Sequence, residues 1–85
     1  MDKKTSIKMF VKHIRENYYF RKDGSSSRNL WKYDDENHTT LKIWCEKDNF
    51  CVSGLDFIGN LARFYNLCCY ADFSIRDNRL YIRIF

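Results

Sequence analysis

The sequence predicts a two-layer α+β domain: two helices on one face of a four- to five-stranded, mainly antiparallel sheet, in the order α-β-β-β-α-β-β. Three observations carry that prediction. Apolar residues recur at helical period over residues 5–20, residues on both sides of Asp77-Asn78 alternate at strand period, and a broad apolar arc spans residues 53–66. The 85 residues suffice for one domain, expected to span 1–85, and a 45% hydrophobic, 18% aromatic composition supplies its core. With no proline and only three glycines, the elements should be long and regular.

The first helix is expected over residues 5–20. Ile7, Phe10, Val11, Ile14 and Tyr18 fall at i, i+3, i+4, i+7 and i+11, and Thr5 or Ser6 can cap its start. Lys4, Lys8, Lys12 and Arg15 form a basic stripe beside that arc. The stretch RKDGSSSRN, residues 21–29, offers no packing surface and reads as a mobile loop. Residues 30–33 suit a short strand ended by the polar run at 34–39, and residues 40–46 suit a clearer one. If Asp48-Asn49 forms a two-residue turn, Leu41, Ile43, Cys45, Phe50 and Val52 share one face, with Thr40, Lys42, Trp44, Glu46 and Cys51 on the other.

Ser53 and Asp56 have the S-x-x-D spacing of a capping box, from which a second helix runs to about Asn66. Leu55, Phe57, Ile58, Leu61, Ala62, Phe64 and Tyr65 cover nearly half of that helix, which predicts that it is largely buried. Asn66 can end it in the left-handed conformation. The final hairpin is expected to turn on Asp77-Asn78, because both residue types tolerate the positive φ of a type I′ turn. That turn pairs Arg76 with Arg79, Phe73 with Ile82 and Asp72 with Arg83. Ala71, Phe73, Ile75, Leu80, Ile82 and Ile84 then share the face under the helices.

The other sheet face should stay open and mixes rings with cations. Tyr, Trp, Phe and Arg are the residue types enriched where proteins bind proteins, so Trp44, Tyr70, Tyr81, Arg83 and Phe85 are the candidate contacts with a protein partner or a second copy. This is the leading functional expectation: a small, non-catalytic interaction or regulatory module that self-associates through this face. The alternative is single-stranded nucleic acid, with bases stacked on rings and phosphates held by cations. Lys42, Arg76 and Arg79 would then act with the helix stripe Lys4, Lys8, Lys12 and Arg15. Charge asymmetry bears on both readings, since residues 1–32 carry nine Lys/Arg against three acids and residues 33–50 carry two against five.

Catalysis and metal binding find little support. His13 falls outside both arcs of the first helix, His38 lies in an acidic run, and nothing in the spacing positions it on Cys45. Asp34, Asp35, Glu36 and Asn37 read as a solvated turn. Cys45, Cys51, Cys68 and Cys69 lack the paired C-x-x-C spacing of a zinc site, so no cofactor is expected. No secretory leader precedes the first helix and no apolar run approaches about 20 residues, so the expectation is a cytoplasmic chain with free thiols and no membrane partner.

Overall fold

In the computed structural model the described residues are 2–17, 20–22, 31–37 and 40–85. The chain runs α1 (Lys3–Glu16), β1 (Phe20–Lys22), β2 (Trp31–Asn37), β3 (Thr40–Glu46), a 3-10 turn (Lys47–Asn49), α2 (Val52–Phe64), β4 (Cys69–Ser74) and β5 (Arg79–Ile84). The strands form one sheet in the order β1-β2-β3-β5-β4. β1 runs parallel to β2, and every other pairing is antiparallel. The molecule is therefore an α+β domain with the predicted order of elements, although one strand sits elsewhere than expected. No helix among the described residues is long and apolar enough to cross a membrane.

α1 begins and ends earlier than the sequence suggests. Asp2, not Thr5 or Ser6, is its N-cap, and the Asp2 carboxylate accepts the Thr5 backbone N–H at 2.7 Å. Capping from Asp2 leaves Ser6 free to sit in the core beside Ile7, Phe10, Val11 and Ile14, all buried. The helix stops at Glu16 and Asn17 is extended, which releases Phe20 to pair with Trp31 as β1. β1 thus takes Phe20 from the expected helix and Arg21 and Lys22 from the expected loop. The remainder of that loop, residues 23–29, lies outside the described residues.

No strand forms at Phe50–Val52. After the 3-10 turn the chain passes directly into α2, with Cys51 as its N-cap. The Lys47 N–H donates to the Asn78 carbonyl, tying this turn to the β4–β5 loop. The expected capping box does not form either: Asp56 accepts the Asn60 side-chain amide one turn along instead. Asn66 does take the left-handed conformation, at φ 57°. α2 is less buried than its apolar arc implies. Ile58 and Ala62 enter the core, Leu55, Phe57, Leu61 and Tyr65 pack at its margin, and Phe64 stays 77% exposed.

The β4–β5 hairpin differs from expectation by two residues of register. Ser74 pairs with Arg79, Asp72 with Tyr81, Ala71 with Ile82 and Tyr70 with Arg83, so the loop holds four residues, 75–78. Only Asn78 adopts the positive φ, at 58°. The loop closes locally, with the Asp77 N–H reaching the Ser74 hydroxyl at 3.3 Å and the Tyr81 hydroxyl donating to Asp77 at 2.8 Å. A shift of two preserves the faces, because side chains alternate with period two. It does remove Ile75 from the sheet, leaving it 88% exposed.

The core lies between the helices and the face formed by Trp31, Tyr33, Leu41, Ile43, Cys45, Ile82 and Ile84. It stops short of β4. Ala71 and Phe73 point to this same side, yet both are exposed, against the expectation that the helices cover them.

The Thr5 N–H holds the Asp2 carboxyl below its ordinary value of 3.8. A carboxylate depressed in the folded state adds stability above its unfolded pKa and loses it as pH falls through the folded one. Asp2→Ala should lower the urea midpoint at pH 7, and the gap from the parent chain should narrow as pH is taken below 3.8. Paired urea titrations across that range check both points.

Candidate functional site

The open face can be followed row by row through the strand register. Lys32, Trp44, Tyr81 and Asp72 form one row, and Asp34, Lys42, Arg83 and Tyr70 form the next. Trp44 points to this face as the alternation predicts, but it is only 6% exposed. Tyr81 and Lys32 flank it in register, and the Lys42 ammonium lies 5.6 Å from its ring centroid and 6.0 Å from that of Tyr81. A cation at that distance is attracted by the negative face of each ring. Arg79 Nε donates to Glu46 Oε1 at 2.8 Å, again across the same face. The centre of the face is thus closed by its own side chains, and the expected exposure of Trp44 is corrected on that ground.

The remaining candidates fall around this centre. Tyr70, at 61% exposed, gathers with Arg83 and Phe85 at the β4 side of the sheet. The expected Asp72–Arg83 pair is replaced, since the shifted register sets Asp72 opposite Tyr81 and Tyr70 opposite Arg83. Lys4, Lys8, Lys12 and Arg15 are exposed on α1, but α1 packs on the Ile43 side of the sheet, away from Lys42 and Arg79. The two groups of cations thus lie on opposite sides, and Arg76 stands in the β4–β5 loop.

β4 has a second property that alternation alone did not reveal. It is the sheet edge, and five of its six residues are exposed whichever face they take. Cys68 and Phe85 exchange both backbone hydrogen bonds, at 2.7 and 3.0 Å. In an antiparallel ladder such pairs alternate, so Tyr70, Asp72 and Ser74 direct their N–H and C=O groups to β5. Those of Cys69, Ala71 and Phe73 therefore point outward, where no described strand meets them.

A cavity of about 550 Å³ lies where β1, β2, the 3-10 turn and the start of α2 meet. Phe20, Trp31, Phe50 and Phe57 supply aromatic walls, and Cys51, Ser53 and Gly54 come from the start of the helix. Phe20 stacks on Trp31 at 6.1 Å between centroids, with Phe57 5.5 Å from Phe20 and the Phe50 ring edge-on to Trp31 at 6.3 Å. Trp31 is buried, and its Nε1 has no hydrogen-bond partner among the described residues. Gly54 permits this arrangement, because a Cβ there would collide with Trp31 Nε1.

The four thiols are all free and differ in environment. Burial pushes Cys45 up to about 11, and partial desolvation by its neighbours raises Cys69 even though that residue is exposed. Cys51 is exposed, and its Sγ lies 2.8 Å from Ser53 Oγ. The Ser53 hydroxyl, followed by the Gly54 and Ser53 backbone N–H groups, holds its thiol below the ordinary value. Sequence reading placed Cys51 in a strand and so missed it. A cysteine two residues before a serine at the start of an apolar arc is the pattern that could have pointed to it.

Among the described residues no three His, Cys, Asp or Glu side chains converge as metal ligands. The His13 ring lies 5.5 Å from that of Tyr65, joining the two helices. His38 lies outside the described residues, as do the side chains of Asp35, Glu36 and Asn37.

The two helical glycines of α2 make a contrasting pair. A Cβ at Gly59 meets nothing within 4 Å, so Gly59→Ala should stabilise the chain by up to about 1 kcal/mol through helix propensity. Gly54→Ala carries the same propensity gain but drives a methyl into the buried Trp31 indole, and should destabilise. Urea unfolding of the two variants checks the opposite signs.

Comparison with family models, with curated proteins and with solved structures finds no match for this chain, and its function is read from the geometry of its sites.

Proposed function

We propose that this chain is a non-catalytic protein-interaction module that self-associates by pairing β4 with β4 of a second copy. The observation that carries the reading is the edge of β4, whose outward N–H and C=O groups at Cys69, Ala71 and Phe73 meet no neighbouring strand among the described residues. An unpaired edge is a template for another strand, and a two-fold axis makes the same surface serve both copies.

The residues of β4 are self-complementary about Ala71. With Ala71 facing Ala71 across the axis, Cys69 of one copy meets Phe73 of the other on the helix side of the sheet. Tyr70 then meets Asp72 on the open side, and each phenol faces a carboxylate acceptor in both directions. Phe73, 45% exposed, and Tyr70 are covered together. Relative to the sequence expectation, the contact moves from the centre of the open face to its β4 margin. Tyr70 is central, Arg83 and Phe85 border it from the strand end, and Trp44 and Tyr81 serve as internal support. Free thiols suit a reducing compartment, and cytoplasmic residence belongs to this proposal.

Ala71→Pro tests the pairing. Proline there removes an outward N–H and leaves the hairpin's own hydrogen bonds intact. Light scattering on a size-exclusion column should find a dimer for the parent chain at low and high salt, and a monomer for Ala71→Pro and Phe73→Lys. A dimer that survives Ala71→Pro would place the contact elsewhere. A monomeric parent that binds a mixed oligonucleotide only at low salt would replace this reading with nucleic-acid binding.

A further inference from the structure

The aromatic cavity shares no lining residue with β4 or β5, so its role does not depend on self-association. About 550 Å³ suits a small organic ligand with one or two rings. Four aromatic side chains bound that space, and flat rings pack on such walls edge-on or offset. The first turn of α2 closes one side of that space, where Gly54 lets the helix backbone lie against the buried Trp31 indole. That turn follows Cys51, whose exposed Sγ stands beside the Ser53 hydroxyl at 2.8 Å, so a nucleophile, a donor and aromatic walls border one cavity.

We propose that this cavity captures planar aromatic electrophiles of the α,β-unsaturated carbonyl class, with Cys51 as the nucleophile, Ser53 as its hydrogen-bond partner and the four rings as walls. The thiol proton passes to water, and the Ser53 hydroxyl donates to the resulting thiolate. A sulfur lone pair forms the C–S bond at the ligand's β-carbon, and the C=C pair moves toward the carbonyl oxygen as an enolate. Water then protonates the α-carbon. The product is a thioether, with no leaving group and no change needing an oxidant or reductant. Cys68, exposed in the same chain but outside the cavity lining, is the internal control.

The experiment is competitive labelling of the full chain at neutral pH with substoichiometric N-phenylmaleimide and N-ethylmaleimide, read by peptide mass spectrometry. Cys51 should be labelled ahead of Cys68, with a phenyl-to-ethyl ratio several-fold higher than at Cys68. Phe50→Ala, which alters an exposed ring outside the central core, should bring that ratio toward the Cys68 value. Ser53→Ala should slow both reagents at Cys51 and leave their ratio unchanged. Equal ratios at Cys51 and Cys68 in the parent chain, or labelling of Cys51 no faster than Cys68, would overturn the proposal.

Discussion

An α-helix with its side chains is about 10–12 Å across, and neighbouring strands lie about 4.8 Å apart, so one helix shields roughly two strands. Two helices therefore cover about four, and this sheet has five. The uncovered strand is β4, at the edge. That mismatch of widths explains why Phe73 is exposed although it shares a face with the buried Ile82 and Ile84. It also separates the two sides of the domain. Around β3 and β5 the core is closed below by helices and above by Trp44, Lys42 and Tyr81, while among the described residues β4 has neither cover. Natural edge strands are usually protected by charge, proline or a covering segment. β4 carries one charged residue, Asp72, and no proline, and the proposed second copy would supply the missing cover.

The opposite edge is organised by Trp31. Its indole sits in the core with Phe20 stacked on one side, and Gly54 allows the first turn of α2 to approach without a side chain. Large rings placed in this way leave space among themselves that the aliphatic core near Ile43 and Ile82 does not. The cavity follows from that, and the start of α2 beside it places the Cys51 sulfur where a hydroxyl and helix N–H groups favour the thiolate. One residue thus links fold and candidate chemistry: Trp31 anchors β2, limits position 54 to glycine and forms a wall of the cavity.

Much of this was legible in the sequence, with the limits set by what periodicity can encode. The stripe from Ile7 to Ile14 fixed the buried side of α1, but it placed the cap at Thr5 or Ser6 and missed the Asp2 carboxylate, which takes the Thr5 N–H. Alternation assigned residues 70–74 of β4 and all of β5 to the correct face, because it encodes parity. It could not distinguish a two-residue loop from a four-residue one, and the choice rested on whether Asp77 as well as Asn78 would take positive φ. Phe50 and Val52 read as a strand because two alternating apolar residues resemble one. The burial of Trp44 depends on Lys42, Lys32 and Tyr81 closing over it, an effect of three strands that no single window contains. The cavity was invisible for the same reason, since it draws on residues from Asn17 to Phe57 that meet only after folding.

Amide hydrogen exchange along β4, followed by NMR at several protein concentrations, tests the edge most directly. In the dilute chain the N–H groups of Tyr70, Asp72 and Ser74 should exchange slowly and those of Cys69, Ala71 and Phe73 quickly. At high concentration the second set should become protected while the first changes little. Fast exchange at Cys69, Ala71 and Phe73 at every concentration would contradict strand pairing through β4, and slow exchange at all six in the dilute chain would show that the edge is already covered within a single copy.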